Sequence, residues 1–482
     1  MLTASCPSCG SPVEFASGAT LTAVCPACSS CVVRDGDLVR DYGKIARFQR
    51  DLSPIQVGAR GNLDGRGFLV AGVLRKGRDR VRWNEWYVTF EDGGDGWIGE
   101  GNGGWYAFGK RVDAVSVARN GDRVSVEGTQ WVVMEDAVAE VLAAEGALPF
   151  ALTPAERRRY LDLRQADGVA FGTLDYADDP PSLWIGRDVT LVQLQMSGLR
   201  PFTGWSDPVL VNFAGPEVAG VRSLKCPSCG GTLELRAPGG AEGVVCGYCG
   251  SSSGIESDGD LTVATLVARK EAAAWKPVLA VGTRGKLRGV EWAIIGAMRR
   301  GVFVDGTDWC WTEYLLFNPY RGFAWLVCDT LDHWSFVEPL RGALPQGTRQ
   351  VLRWRNQSFA LFQAGKAGIR HAIGEFTWEA EVGEVADTVD YIAPPRMLSV
   401  ERTPGEAVWS VGTWMPAAEV SAGFGSRLPK PRSVAAHQPN PFDERGRRTL
   451  AWIRGGLLVA IAAALFVAAL LDRKSTRLNS SH

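Results

Sequence analysis

Short runs of alternating apolar and polar residues cover most of the chain. In the run WNEWY at 83–87, Trp83 and Glu85 fall on one face of a strand and Trp86 on the other. Gly- and Pro-containing turns such as Asn120-Gly121 separate these runs. The pattern predicts a mainly β protein whose modules are β-sandwiches or small barrels.

The same order of elements occurs twice. CPSCG stands at 6–10 and again at 226–230, and each copy is followed by a second cysteine pair and a long Gly- and Trp-rich stretch. Such self-similarity indicates a duplicated module. The predicted domains are a zinc ribbon at 1–35, a β module at 54–200, a second ribbon at 222–256 and a second β module at 277–418.

Two finer correspondences follow from aligning the copies. A short helix is predicted at 42–52, with a counterpart at 266–274, because each stretch ends just before a proline. TLDY at 173–176 is matched with TVDY at 388–391, each followed by a Pro-Pro pair. This alignment predicts that Asp175 and Asp390 occupy equivalent positions.

The C-terminal region differs from the rest of the chain. Residues 455–471 carry no polar side chain, so 450–471 is predicted to be a transmembrane helix, with a buried core helix as the alternative. A basic linker at 424–449 is predicted to be a flexible tether, and its arginines predict a cytosolic N-terminal region. The string DRKSTRLNSSH at 472–482 is predicted to be translated sequencing adapter, which leaves the chain beyond Leu471 undefined.

Composition narrows the possible functions. The 482 residues require more than one domain, and a formal net charge of −1 gives no electrostatic case for nucleic acid. Ribbon 1 has no Lys or Arg between its first and last cysteine. The chain has only 4 His, which weakens any interpretation based on histidine catalysis or histidine metal sites.

Eight cysteines form two quartets with the spacing of four-cysteine zinc sites. Each C-x2-C turn presents two thiolates, and two turns complete a tetrahedron with no open position for catalysis. We therefore predict two structural Zn²⁺ ions, with a redox-active cysteine pair as the alternative. Cys31 is predicted to be a free thiol at the ribbon edge, with a substitute ligand as the alternative. The predicted ligands are Cys6, Cys9, Cys25, Cys28, Cys226, Cys229, Cys246 and Cys249.

CPSCG followed by the glycine pattern, WNEWY and LDY resembles the bacterial DUF4178 family, a domain of unknown function. The resemblance covers about 56–190 and 278–415, although the second copy has WTEYL in place of WNEWY. It implies a ribbon–domain–ribbon–domain chain with a C-terminal membrane helix at the bacterial cytoplasmic membrane. It also implies an envelope-stress setting shared with polyamine-synthesis genes, but no activity.

Four carboxylates are candidates for acid–base chemistry. Glu85 and Glu313 lie among aromatic residues, where a carboxylate can have a raised pKa and act as an acid or base. The simpler alternative is a solvent-facing or arginine-paired glutamate. Asp175 and Asp390 precede turns, and turn capping is the simpler role for both.

The sequence thus predicts a membrane-anchored cytosolic scaffold or sensor that recognises a protein partner or a small ligand. A polyamine-like cation suits the aromatic and acidic strand at 83–87 through cation–π and carboxylate contacts. The first alternative is an enzyme that uses Glu85 or Glu313. The second is a nucleic-acid-binding ribbon protein.

Overall fold

The computed structural model describes residues 2–439, and residues 440–482 lie outside the described part. Short gaps within the described range fall at 19, 37, 49–52, 79–80, 102, 113–118, 120, 167, 177–180, 238–239, 257–261, 268–274, 305, 404–405 and 433.

The described part of the first half is built from strands, as its alternating pattern predicts. In chain order these are β1 (Leu2–Ser5), β2 (Pro12–Phe15), β3 (Thr22–Val24), β4 (Ser30–Asp35), β5 (Leu38–Lys44), β6 (Ala46–Arg47), β7 (Arg60–Leu63), β8 (Arg66–Arg78), β9 (Val81–Phe90), β10 (Asp95–Gly101), β11 (Gly104–Val112), β12 (Arg123–Val126), β13 (Thr129–Leu148), β14 (Arg157–Gln165), β15 (Phe171–Asp175) and β16 (Ser182–Val189).

Apart from β6 and β27, the described part of the second half repeats this order, and it adds one short helix. Its elements are β17 (Arg222–Lys225), β18 (Thr232–Leu235), β19 (Gly243–Val245), β20 (Ser252–Glu256), β21 (Thr262–Val267), β22 (Arg284–Leu287), β23 (Val290–Val304), β24 (Thr307–Asn318), β25 (Gly322–Cys328), β26 (Trp334–Pro339), β27 (Gln346–Gly347), β28 (Val351–Trp354), β29 (Gln357–Phe376), β30 (Val385–Ala393), β31 (Arg396–Thr403), β32 (Glu406–Met415) and α1 (Ala417–Phe424).

Eight antiparallel strands in each half close into a barrel. Around barrel 1 the order is β8-β9-β10-β11-β16-β15-β14-β13, and β13 pairs with β8 to complete the circle. Barrel 2 has the order β23-β24-β25-β26-β32-β31-β30-β29, closed by the pairing of β29 with β23. Of the two architectures that the sequence predicts for the modules, the structure has the small barrel.

Each ribbon is joined to its barrel by one long strand. β13 and β29 have 20 residues each, and both continue beyond the barrel to pair with the ribbon strands β3 and β19. Glycine pairs allow a close crossing where each strand leaves the barrel: Gly72 lies opposite Gly146, and Gly296 lies opposite Gly374. Gly146 and Gly374 have φ angles of +80° and +85°, which L side chains rarely adopt.

One face of each barrel strand points into the barrel. The rings of Trp83 on β9 and Tyr160 on β14 lie 5.8 Å apart, although these strands are not neighbours in the sheet. Their shared face is therefore the inner one. Near the ribbon the interior is apolar, where Leu74 and Tyr87 pack with Cys31 and other buried residues. Farther from the ribbon the inner face carries charged side chains.

The two barrels are stacked, with the turn between β24 and β25 seated against the first half of the chain. Tyr320 accepts the backbone N–H of Phe202 at 3.1 Å and donates to the carbonyl of Arg200 at 3.2 Å. Arg321 forms a bidentate ion pair with Asp207 at 2.7 and 3.0 Å. These buried contacts hold barrel 2 in one orientation relative to barrel 1.

The predicted helix at 42–52 is wrong for its described part. Tyr42 lies in β5, which pairs with β4 and extends the sheet of ribbon 1, and β6 pairs with β13. Its counterpart is also wrong where it is described, because Leu266 lies in β21. A proline after each stretch marks a break in structure, but it does not distinguish a helix from a strand.

The predicted flexible linker at 424–449 is wrong for its described part. The helix α1 was not predicted from the sequence. It ends at Phe424, which is buried with Val420 against β22. Beyond it, Ala435 and His437 are buried, with 5% and 7% of their surfaces exposed. Among the described residues no helix is long and apolar enough to cross a membrane. The predicted transmembrane helix at 450–471 lies outside them.

Candidate metal centres and inner charge clusters

The four thiols of each predicted quartet converge, and within each quartet the sulfur atoms all lie within 4.8 Å of one another. In ribbon 1, Cys6 Sγ is 3.7 Å from Cys28 Sγ, and Cys9 Sγ is 3.6 Å from Cys25 Sγ. In ribbon 2 the two corresponding distances are both 3.8 Å, between Cys226 and Cys249 and between Cys229 and Cys246.

These distances suit a metal ion at the centre of each quartet. Four sulfurs arranged tetrahedrally at ~2.3 Å from Zn²⁺ lie about 3.8 Å apart. Gly10 and Gly230 donate their backbone N–H to the carbonyl oxygens of Cys6 and Cys226, both at 2.8 Å, which closes a turn around each knuckle. Each quartet could therefore hold one ion.

The thiols also differ in how readily they ionise. Hydrogen bonding with Ser30 lowers the pKa of Cys28 to about 6. Burial raises the pKa of Cys6 to about 12, and a bound cation would keep that thiol ionised. Cys31 stays outside the quartet. It is fully buried and packs against barrel residues, which is why it does not act as a fifth ligand in this arrangement.

The inner face of barrel 1 places Glu85 in an ion pair. Its Oε2 lies 2.7 Å from Lys76 Nζ, and its Oε1 accepts the indole N–H of Trp83 at 2.9 Å. Burial alone would lower the pKa of Lys76, but the charges of Glu85 and Asp175 outweigh it and raise that pKa. Glu85 is therefore ion-paired, but its partner is a lysine and not the predicted arginine.

Asp162 is a carboxylate of this cluster that the sequence reasoning missed. It accepts the hydroxyl proton of Thr173 at 2.8 Å, and burial raises its pKa to about 6. Its signal in the sequence was the alternation of Leu161, Asp162 and Leu163, in which an acid lies between two core positions.

Barrel 2 carries an equivalent cluster. Arg300 Nη1 lies 3.5 Å from Glu313 Oε1 and 2.5 Å from Glu401 Oε1, and Trp311 donates its indole N–H to Glu313 at 2.6 Å. Ser399 donates to Asp390 at 2.6 Å. Burial raises the pKa values of Glu313 and Asp390, although Arg300 opposes the rise in both.

Strand register shows which residues correspond. Asp162 lies opposite Thr173 on β14 and β15, and Asp390 lies opposite Ser399 on β30 and β31, so Asp390 is the counterpart of Asp162. The predicted equivalence of Asp175 and Asp390 is therefore wrong. The similar tetrapeptides TLDY and TVDY lie on strands that do not correspond, β15 in barrel 1 and β30 in barrel 2. The corresponding pairs are Lys76 and Arg300, Trp83 and Trp311, Glu85 and Glu313, Asp162 and Asp390, Thr173 and Ser399, and Asp175 and Glu401.

A cleft lies where the barrels meet. It has a volume of about 60 Å³ and is lined by Trp83, Glu100 and Trp105 of barrel 1 and by Phe317 and Phe323 of barrel 2, among others. Glu100 accepts the indole N–H groups of Trp86 at 2.9 Å and Trp105 at 3.0 Å. The carboxylate is thus held by the surrounding protein, and we assign it a structural role at the junction.

A protein-family model described as a domain of unknown function, DUF4178, matches residues 56–190 and 280–417, which together make more than half of the chain. The chain belongs to the DUF4178 family. Each DUF4178 match contains one inner charge cluster, whereas both cysteine quartets lie outside the matches. A search of curated proteins and a search of solved structures gave no match.

The raised pKa of Asp162 gives a pH-dependent prediction. Its ordinary value is 3.8 and its folded value is about 6, so the folded state binds the proton more tightly than the unfolded state. The stabilisation is complete below pH ~4 and is lost as the pH rises through ~6, on the order of 3 kcal/mol in total. Asp162→Asn should flatten the free energy of unfolding in that window, measured by urea melts at several pH values.

Asp92→Asn is the control. Arg66 lowers the pKa of Asp92 to about 2, so the contribution of Asp92 is lost only as the pH falls through that value. Equal changes in the two variants between pH 4 and 6 would contradict the assignment to Asp162.

Proposed function

We propose that this DUF4178 protein is a binding protein, acting as a scaffold or sensor, and that each barrel recognises a polyamine-like cation at its inner charge cluster. The observation that carries the proposal is the recurrence of this cluster at equivalent positions in both barrels. Each set of corresponding residues has three carboxylates and one cationic side chain, and in barrel 1 the charge of Arg158 also acts on Lys76, so carboxylates outnumber cations in both. An amine-rich ligand would reduce that imbalance.

The ring content of the clusters supports the same ligand class. Trp83 and Tyr160 in barrel 1, and Trp311 in barrel 2, lie beside the carboxylates and offer π faces to an ammonium group. Recognition of a linear cation would then combine charge with ring contacts. A protein partner at the module surfaces stays a prediction from the sequence.

Zinc and the membrane complete the proposal. The cysteine quartets suit structural Zn²⁺, because four thiolates leave no open coordination position. The predicted helix at 450–471 would anchor the chain at the inner face of the bacterial membrane, with the sequence as its support. Alkaline extraction of membranes from cells that make the chain tests the anchor, and release of the chain into the soluble fraction would count against it.

Calorimetric titration of spermidine into the full chain tests the ligand. We expect two binding events, with Glu85→Gln weakening one and Glu313→Gln the other by about 10-fold each, because each variant removes one negative charge from its cluster. Glu91→Gln, an exposed acid outside both clusters, is the matched control. Thermal melting confirms that each variant is folded. Absence of heat with the folded wild-type chain would refute the polyamine ligand.

An enzyme is the second candidate, favoured by the raised pKa of Asp162 beside the Lys76–Glu85 pair. A carboxylate that titrates near neutrality can exchange protons with a substrate. Mass analysis of spermidine recovered from the titration separates the two functions, because a binding protein returns it unchanged. A nucleic-acid-binding ribbon stays a prediction from the sequence.

A further inference from the structure

The C-terminal end of the described chain lies against the barrel 2 end at which β26 begins and β32 ends. We call residues 428–432 and 434–439 the strap. Arg432 donates its backbone N–H to the carbonyl of Leu331 at 3.0 Å, and its side chain pairs with Asp332 at 2.9 Å and reaches the carbonyl of Thr330. These contacts fix the strap to the turn between β25 and β26.

Past this anchor, the strap reaches the inner face of the barrel. His437 Nε2 lies 2.6 Å from Ser335 Oγ, and both side chains are buried. Ser335 pairs with Val327 on β25, and Val327 pairs with Glu313 on β24, so the three side chains share one face. That face holds the charge cluster. His437 therefore covers Ser335, which lies two strands away from Glu313 on the same inner face.

In barrel 1 a different segment covers the inner face at the position that corresponds to Ser335. Tyr106 pairs with Asp188 on the inner face, just as Ser335 pairs with Trp414 in barrel 2. Gly342, which follows β26, donates its N–H to Asp188 at 3.2 Å and accepts from Arg164 at 3.0 Å. The segment at Gly342 that covers barrel 1 is thus part of the interface between the two barrels.

The two covers differ in what displacing them requires. Opening barrel 1 at Asp188 would separate Gly342 and its flanking chain from a junction that Tyr320 and Arg321 also hold. Opening barrel 2 at Ser335 would require release of one segment, which is held by the packing of Leu428, the anchor at Arg432 and the bond at His437. A single segment of this kind can open without unfolding of a barrel.

Resting on the proposed function, we infer that the strap is a releasable lid on barrel 2, and that a cation bound at Glu313 displaces it. Occupancy of barrel 2 would then control whether the strap is held against the barrel or free. Barrel 1 has no comparable lid among the described residues, so the duplicated sites would differ in regulation although their charge clusters correspond.

Hydrogen exchange of the full chain without ligand tests the lid first. Arg432→Ala and His437→Ala should each speed exchange across 428–439 by about 10-fold, because each removes one attachment. Lys430→Ala, an exposed cation in the same segment, should leave the exchange as in the wild type. Equal exchange in all three variants would overturn the lid.

Spermidine tests the coupling. We expect saturating spermidine to speed strap exchange in the wild type and in Glu85→Gln, but not in Glu313→Gln. Binding heat with unchanged strap exchange would overturn the inference and leave the proposed function standing. Absence of heat, together with faster exchange in the strap variants, would support the lid itself while overturning both the proposed ligand and its coupling to the strap.

Discussion

Replacing Cys25 with serine is expected to leave the chain with one bound metal ion instead of two and to unfold ribbon 1. Four-cysteine zinc binding contributes about 10–16 kcal/mol to the folding of small metal domains, which have almost no other core. The thiol of Cys25 is one of the four that converge, 3.6 Å from that of Cys9, and a serine hydroxyl does not supply the thiolate that a four-cysteine site requires.

The loss should spread into barrel 1. Cys31 and Ile45 pack against Leu74 and Tyr87 on the inner face, so an unfolded ribbon opens the apolar end of the barrel to water. We expect barrel 1 to melt at a lower temperature while ribbon 2 keeps its ion. Metal analysis per chain and calorimetric melting measure both effects.

Cys31→Ala is the matched control for this prediction. It removes a buried cysteine of the same ribbon from outside the quartet, at an expected cost of about 1 kcal/mol, and should keep two ions per chain. Two ions in Cys25→Ser, or one in Cys31→Ala, would contradict the ligand assignment. Iron in place of zinc would change the identity of the metal but not the quartet.

Substituting alanine for Gly146 or Gly374 is expected to destabilise the corresponding half of the chain by about 3 kcal/mol or more. A left-handed conformation costs an L residue about 1–2 kcal/mol by itself. In addition, the new Cβ would overlap the carbonyl oxygen of Ala71 at the first position and of Ile295 at the second. These oxygens belong to paired strands and cannot move away without breaking the crossing.

Gly128→Ala separates the two contributions. Gly128 has a φ of +76°, close to that of Gly146, but a Cβ there would meet nothing within 4 Å. Its cost should therefore be only the conformational part, about 1 kcal/mol. Denaturant melts of the three variants give the comparison, and a cost at Gly128 equal to that at Gly146 would show that the close crossing adds nothing.

Much of the architecture could be predicted from local patterns in the sequence. A C-x2-C turn is formed by adjacent residues, so the spacing from Cys6 to Cys9 already determines that both thiols face one point. Strand alternation likewise placed Trp83 with Glu85 on one face, and the indole of Trp83 does donate to that carboxylate. Such features depend only on residues that are close to one another in the sequence.

Features that depend on distant residues were not predictable in this way. Lys76 is the partner of Glu85 only because β8 and β9 pair in one register, and Asp390 corresponds to Asp162 only through strand order around the barrel. The burial of His437 depends on Ser335, about one hundred positions earlier in the chain. A single sequence carries no record of these pairings, since many registers satisfy the same alternation.

The docking turn also gives the tandem a direction. In barrel 2 the turn carries Tyr320 and Arg321, whereas the corresponding turn of barrel 1, between β9 and β10, spans 91–94 and exposes Glu91, Asp92 and Gly93. The second half therefore supplies the docking turn and the first half supplies the surface that receives it, so the two halves are not interchangeable. A chain with its halves in reverse order would contain both barrels, but it would present its acidic turn where the stack requires an aromatic one.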